Sequence, residues 1–85
     1  MEKSEDTRVA LIGIIVEDDR ATPALNDILH AFGRHIIGRI GVPYRSRGIC
    51  VISIIVDAPN GVVSSLSGKL GMLEGVNVKT MYAKV

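Results

Sequence analysis

Two apolar runs of matching make-up restrict this chain more than any other feature. Ile12–Asp18 reads IGIIVED, and Ile52–Ala58 reads ISIIVDA. Each belongs to a longer β-branched run, Arg8–Glu17 (RVALIGIIVE) and Ile49–Asp57 (ICVISIIVD), with almost no polar relief. A bilayer span needs about 20 apolar residues, so neither run is long enough to cross a membrane. Short β-branched runs without alternation read as strands buried on both faces, near the middle of a sheet.

The remaining segments arrange themselves around these two. Thr22 followed by Pro23 reads as an N-cap with proline at the first helical position. Leu25, Ile28, Leu29 and Phe32 then recur at helical spacing until Gly33. His35–Tyr44 alternates, which predicts a strand with Ile36, Ile40, Val42 and Tyr44 on one face and Arg39 on the other. Arg45-Ser46-Arg47-Gly48 is a polar hairpin turn. Pro59 bars the second run from continuing, and Asp57 or Asn60 can cap the helix that follows, marked by Val62, Leu66, Leu70 and Leu73. Gly71 and Gly75 punctuate its end, and Val76, Val78, Thr80 and Tyr82 alternate as a last strand.

The order is βαββαβ, and the repeat extends beyond the runs, with Ile36 matching Val76 and Arg39 matching Lys79. Two similar strand–helix–strand units predict an α+β, ferredoxin-like sandwich: a four-stranded antiparallel sheet with two helices on one face. The two runs are expected as inner strands. The Arg39 and Lys79 strands are expected as edges, where charge discourages stray pairing. Residues 1–7, MEKSEDT, read as a flexible tail, and 8–85 as a single domain.

This architecture leaves a face uncovered. Ala10, Ile12, Ile14 and Val16 share one side of the sheet with Cys50, Ile52, Ile54 and Val56; Val9, Leu11, Ile15, Val51 and Ile55 share the other. Two helices cover only one side. With 47% apolar residues in an 85-residue chain, apolar surface is left over after the monomer folds. A homo-oligomer, dimer or tetramer, is therefore expected, with Leu11, Ile15, Val51, Ile55, Gly68 and Gly71 in the interface. Gly68 and Gly71 each cost about 1 kcal/mol inside a helix. With Ser64 and Ser67 they make one side of that helix small, which suits close approach to the sheet or to a partner helix.

The chemistry-bearing residues are few. A formal net charge of +1 excludes a bulk polyelectrolyte partner. One cysteine and no signal-peptide pattern fit a reducing cytoplasm. Cys50, His30 and His35 are the only thiol or imidazole ligands. Cys50 aligns with Ala10 in the repeat and reads as a small core residue, so no metal and no cofactor are expected. Arg39, Arg45 and Arg47, with Arg34, form a basic stretch that offers an anion or nucleic-acid contact, although Tyr44 is the one aromatic beside it. Solvated edge protection is the better reading, and nucleic acid is disfavoured. Asp57-Ala58-Pro59-Asn60-Gly61 is the best small-molecule loop, with Asp57, Asn60 and Gly61 as candidate ligand contacts. Ser64, Ser65 and Ser67 lack a nearby base, so catalysis finds no support.

Three pieces read together carry a resemblance: Arg39–Pro43 (RIGVP), Leu66–Gly71 (LSGKLG) and Gly75–Thr80 (GVNVKT). In this order they resemble the iron-only hydrogenase system regulators, over about residues 8–84. That resemblance implies an ACT-like βαββαβ fold and oligomerisation. The chain is therefore expected to be a homo-oligomeric regulatory module that senses a small ligand or docks on a partner protein; the alternatives are a structural assembly protein with no small ligand and a weak nucleic-acid-binding regulator using the basic hairpin. The second half also resembles an ACT amino-acid-sensing unit, with Asp57, Pro59 and Gly61 matching its turn. A wider likeness to the metal-binding domain of nickel-responsive regulators places Cys50 near a ligand position. Val42 and Tyr44 stand where that family has histidines, which argues against a nickel site of that type.

Overall fold

The computed structural model describes residues 6–83. The reading of residues 1–5 as a tail lies outside the described residues. Strand β1 (Arg8–Val16) alternates strictly, with Ala10, Ile12, Ile14 and Val16 buried and the residues between them turned outward. It leads through a 3₁₀ turn (Asp19–Ala21) into helix α1 (Thr22–Ala31). A second 3₁₀ turn (Gly33–His35) opens strand β2 (Ile36–Tyr44), and a third (Arg45–Arg47) joins it to strand β3 (Ile49–Ala58). Helix α2 (Asn60–Gly71) and strand β4 (Val76–Tyr82) complete the order.

The four strands form one antiparallel sheet in the order β2-β3-β1-β4. The two β-branched runs are the inner strands, paired from Arg8 with Ala58 to Val16 with Cys50. The Arg39 and Lys79 strands are the edges. This is the α+β, ferredoxin-like arrangement that the repeat predicts.

The core lies between the sheet and the helices. Ile12, Ile14, Ile54 and Val56 from the sheet meet Leu25 and Leu29 of α1 and Val63, Leu66 and Leu70 of α2, all essentially fully buried. Ile28, Phe32, Cys50, Val62 and Leu73 pack around this centre. Burying each such aliphatic side chain contributes about 1.5–3 kcal/mol. On β4 the covered-side Thr80 is satisfied by a hydroxyl–hydroxyl hydrogen bond with Ser67 of α2.

Local details differ from the sequence reading in four places. Helix α2 ends at Gly71, so Leu73 packs on the core from the turn beyond the helix and not from the helix itself. Thr22 is not an N-cap but the first residue of α1, because the preceding 3₁₀ turn supplies the N-terminal backbone geometry. That turn is itself capped by Asp18, whose carboxylate accepts from the Arg20 backbone N–H. Neither Asp57 nor Asn60 caps α2; Pro59 occupies that position with no side-chain bond, and Asn60 is the first helical residue. Finally, Ile36 does not share a face with Ile40, Val42 and Tyr44. Ile36 pairs with Val56 and Gly38 with Ile55, so β2 carries a bulge at Ile37. The extra residue reverses the side-chain alternation beyond it. Ile36 packs on the core, and Arg39, opposite the fully buried Ile54, lies on the same helix-covered side.

The α2–β4 turn is held against the end of β1. The Glu17 N–H donates to the Gly75 carbonyl at 2.7 Å, and Asn77 Nδ2 donates to Glu17 Oε2 at 3.0 Å. Gly75 has φ +79°, and a Cβ there would stand 2.6 Å from the Asp18 Cβ. Gly75→Ala is therefore expected to lower stability by roughly 1–3 kcal/mol from the left-handed backbone alone, with the collision adding to it. Gly61→Ala, in open space in the first turn of α2, should be neutral or stabilising by about 0.4–1 kcal/mol. Urea midpoints at one fixed protein concentration check both; an unchanged midpoint for Gly75→Ala would contradict the packing described.

Candidate functional site

Two surfaces stand out, one on each side of the sheet. The first is the face that no helix covers. In antiparallel register, paired residues point the same way. Leu11 opposite Ile55, and Ile15 opposite Val51, form four aliphatic positions around the small central pair Gly13 and Ser53. These four side chains retain 38–40% of their accessible surface, midway between core and solvent. Ile40, Val42 and Tyr44 of β2 and Met81 of β4 extend the patch on either side and are more exposed still. Asp57, Glu17, Asn77 and Lys79 rim it. A shallow hollow of about 230 Å³ lies between its centre and the β4 rim, where Gly13 has no side chain beside Asn77 and Lys79. The sequence reading contained the four central residues. It missed the contribution of β2 and β4, which becomes apparent once the edge strands are placed in register.

The second surface is a groove on the helix-covered side, between α1 and edge strand β2. Thr22, Leu25 and Asn26 form the α1 wall, and Gly41 and Pro43 the β2 wall. Val16, Cys50 and Ile52 make the floor of this cavity of about 210 Å³. Arg39 closes one end, its Nη2 donating to Asn26 Oδ1 at 3.1 Å. At the other end the groove opens into a wider, more polar hollow of about 470 Å³ beside Glu17, Asp18, Asp19 and Arg45. Cys50 is a partly buried free thiol packed on the core and shared by both hollows.

The acidic end is partly neutralised within itself. Asp18 accepts from Arg20 Nε at 3.0 Å and from Nη2 at 2.7 Å, a forked charge-assisted pair. These bonds, with the Arg20 backbone N–H, pull the Asp18 carboxyl down to about 2 and push the Arg20 guanidinium up.

The other candidate residues are dispersed. Asp57 is exposed in β3 opposite Val9, while Asn60 and Gly61 occupy the exposed first turn of α2. None of the three lines the cavities described above. Gly68 and Gly71 are exposed, and a Cβ on either would meet nothing within 4 Å. Close approach of α2 to its own sheet therefore does not explain them. The arginines form no single patch: Arg45 and Arg47 lie on the exposed hairpin turn. Arg39 is about 20 Å back along the strand, at about 3.3 Å per residue, and faces α1. Among the described residues, no three His, Cys, Asp or Glu side chains gather to hold a metal ion, and no helix is long and apolar enough to cross a membrane.

These features define the class first: a small α+β domain with a ferredoxin-like sheet, an unpartnered apolar face and a groove beside its edge strand. The family model TM1266-like, described as "Iron-only hydrogenase system regulator, putative", matches residues 8–80, and the chain belongs to that family. It is similar to the uncharacterized protein TM1266 from Thermotoga maritima, with 34% identity and a TM-score of 0.89 over 93% of this chain and 100% of that one. Two more distant likenesses show the fold alone. A formyltetrahydrofolate deformylase from Pseudomonas putida KT2440 matches with a TM-score of 0.61 and 12% identity, over 86% of this chain and 28% of that one. CPII, a nitrogen regulatory PII-like protein from Thiomonas intermedia K12 bound to ADP, AMP and bicarbonate, matches with a TM-score of 0.51 and 20% identity, over 92% of each chain. No curated protein matches the sequence.

The pairing at the β1–α1 junction has a pH signature. The folded Asp18 carboxyl lies below the unfolded value of about 3.9. It thus favours the folded state at neutral pH, and this contribution is lost as the pH falls from about 4 through about 2. Carboxyl carbon shifts followed by NMR should show Asp18 titrating near 2; a midpoint near 4 would show that the Arg20 fork is not held in solution.

Proposed function

We propose that this chain is a regulatory module of an iron-only hydrogenase system that works as a homo-oligomer, dimer or tetramer. In this reading it assembles through the open sheet face and responds to a small ligand or docks on a partner protein. The family supplies the regulatory setting. The single observation that carries self-association is the apolar face itself: Leu11, Ile15, Val51 and Ile55 at its centre, Ile40, Val42 and Met81 around them, and a polar rim. Apolar patches of this kind, rimmed by polar residues, mark protein contacts. A second copy presents the same surface and satisfies both faces at once, as a two-fold contact requires.

Sedimentation velocity at micromolar concentration tests the assembly. The unmodified protein should sediment as a dimer or tetramer. Ile55→Asp, at a position already part-exposed in the protomer, should shift it to monomer while the far-ultraviolet circular dichroism is kept. A monomeric unmodified protein would overturn the reading. Dissociation by Gly68→Leu but not by Ile55→Asp would move the interface from the sheet to α2.

A further inference from the structure

We infer that the groove between α1 and β2 is a binding site for a small organic monocarboxylate with an apolar body, held at its head by Arg39. Three independent features of the chain build this groove. The bulge at Ile37 turns Arg39 from the open face to the helix side, opposite Ile54; bulges of this kind re-aim side chains next to functional sites. Two residues further on, Gly41 presents no side chain toward α1. A Cβ there would only come within 3.8 Å of Ile52 Cγ1, an ordinary contact, so the sequence leaves open a space that the fold would accept filling. Lastly, Arg39 has no carboxylate partner among the described residues. Its one hydrogen bond goes to the neutral Asn26, which holds the guanidinium at the end of the groove with donors to spare.

The chemical class follows from the lining. Arg39 is the one charged side chain of this cavity, and no acid lines it. The planar fork of a guanidinium matches a carboxylate in two parallel bonds. A phosphate dianion would bring a second charge with no second cation in the cavity to meet it. Val16, Leu25, Ile52 and Pro43 make the remainder apolar, which suits an aliphatic body. At about 210 Å³ the cavity falls below the range that holds drug-sized molecules, so the fit is to a short chain. The far mouth holds three acids, Glu17, Asp18 and Asp19, against Arg45 and the Arg20 paired with Asp18, so acids outnumber cations there and set the orientation. They repel a second carboxylate there and leave the head at Arg39 with the body directed toward Cys50.

This deepens the ligand-responsive half of the proposed function and is independent of self-association, because the groove lies on the side of the sheet opposite the apolar face. The test is calorimetric titration of the full chain with 4-methylpentanoate, beside 4-methylpentanol, glutarate and inorganic phosphate. The carboxylate is expected to bind saturably in the millimolar range or tighter and the other three at least about tenfold more weakly, as loss of a charge-assisted bond implies. Arg39→Gln should weaken the carboxylate by about tenfold or more, and Gly41→Leu should abolish binding by filling the groove. Arg47→Gln, on the exposed hairpin turn, should leave it unchanged. No saturable binding at millimolar concentration would overturn the inference, as would equal binding of the alcohol or phosphate, or binding indifferent to both groove substitutions. Sedimentation of the same samples separates the two claims. Assembled protein that binds nothing removes the groove site alone; monomeric protein that binds the carboxylate removes the interface alone.

Discussion

A four-stranded sheet has two faces, and this chain has helices enough for one. Everything else in the structure is arranged around that mismatch. The inner strands alternate Ala10, Ile12, Ile14 and Val16 toward the helices with Leu11 and Ile15 away from them, and β3 does the same with Ile52, Ile54 and Val56 against Val51 and Ile55. Selection for the core explains the first set. It does not explain the second, which a monomer would hold in water while forgoing part of the 1.5–3 kcal/mol or so that burial of each would contribute. The edges show the same pattern. Ile40, Val42, Tyr44 and Met81 would be easy to replace with polar residues if solvent were their neighbour, since exposed edge strands normally carry charge.

The covered side is shaped by a smaller device. One extra residue at Ile37 allows β2 to serve both surfaces: Ile36 in the core and Arg39 over α1, with Ile40, Val42 and Tyr44 on the open face. Without the bulge, Arg39 would lie among the aliphatic residues of the open face, where a charge would oppose association. Its displacement to the helix side removes that charge from the patch and places it at the end of a groove. The open face and the groove thus depend on the same irregularity. TM1266 from Thermotoga maritima and, more distantly, a PII-like fold neighbour share this scaffold.

Much of the scaffold was legible because the repeat marks the two inner strands, and their unbroken β-branched composition sets them apart from the charged edges; in the protomer, however, only the helix-covered face of each is buried. The edges were legible from Arg39 and Lys79. What escaped was set by single-residue geometry. A bulge carries no necessary sequence signal: Ile36-Ile37-Gly38 alternates acceptably in either register, and only pairing with β3 decides. The helix starts escaped because the 3₁₀ turn before α1 and the Pro59 turn before α2 satisfy backbone donors that Thr22, Asn60 or Asp57 was expected to cap. The arginines look like one patch along the chain, yet a strand is extended, so neighbours in sequence are carried about 3.3 Å apart per residue and onto different sides. The groove was invisible because its defining element is a missing side chain, at Gly41, seen only against the packed position of α1.

The central claim, that the open face is buried against a second copy, has a direct spectroscopic test. Methyl resonances of the isotopically labelled protein are recorded with a soluble nitroxide that broadens any group it can reach. Buried against a partner, the methyls of Leu11, Ile15, Val51 and Ile55 should be protected nearly as well as those of Ile12 and Ile54, while Met72, at 85% exposure, broadens strongly. Broadening of the four open-face residues in proportion to their 38–40% exposure in the isolated protomer would contradict the account.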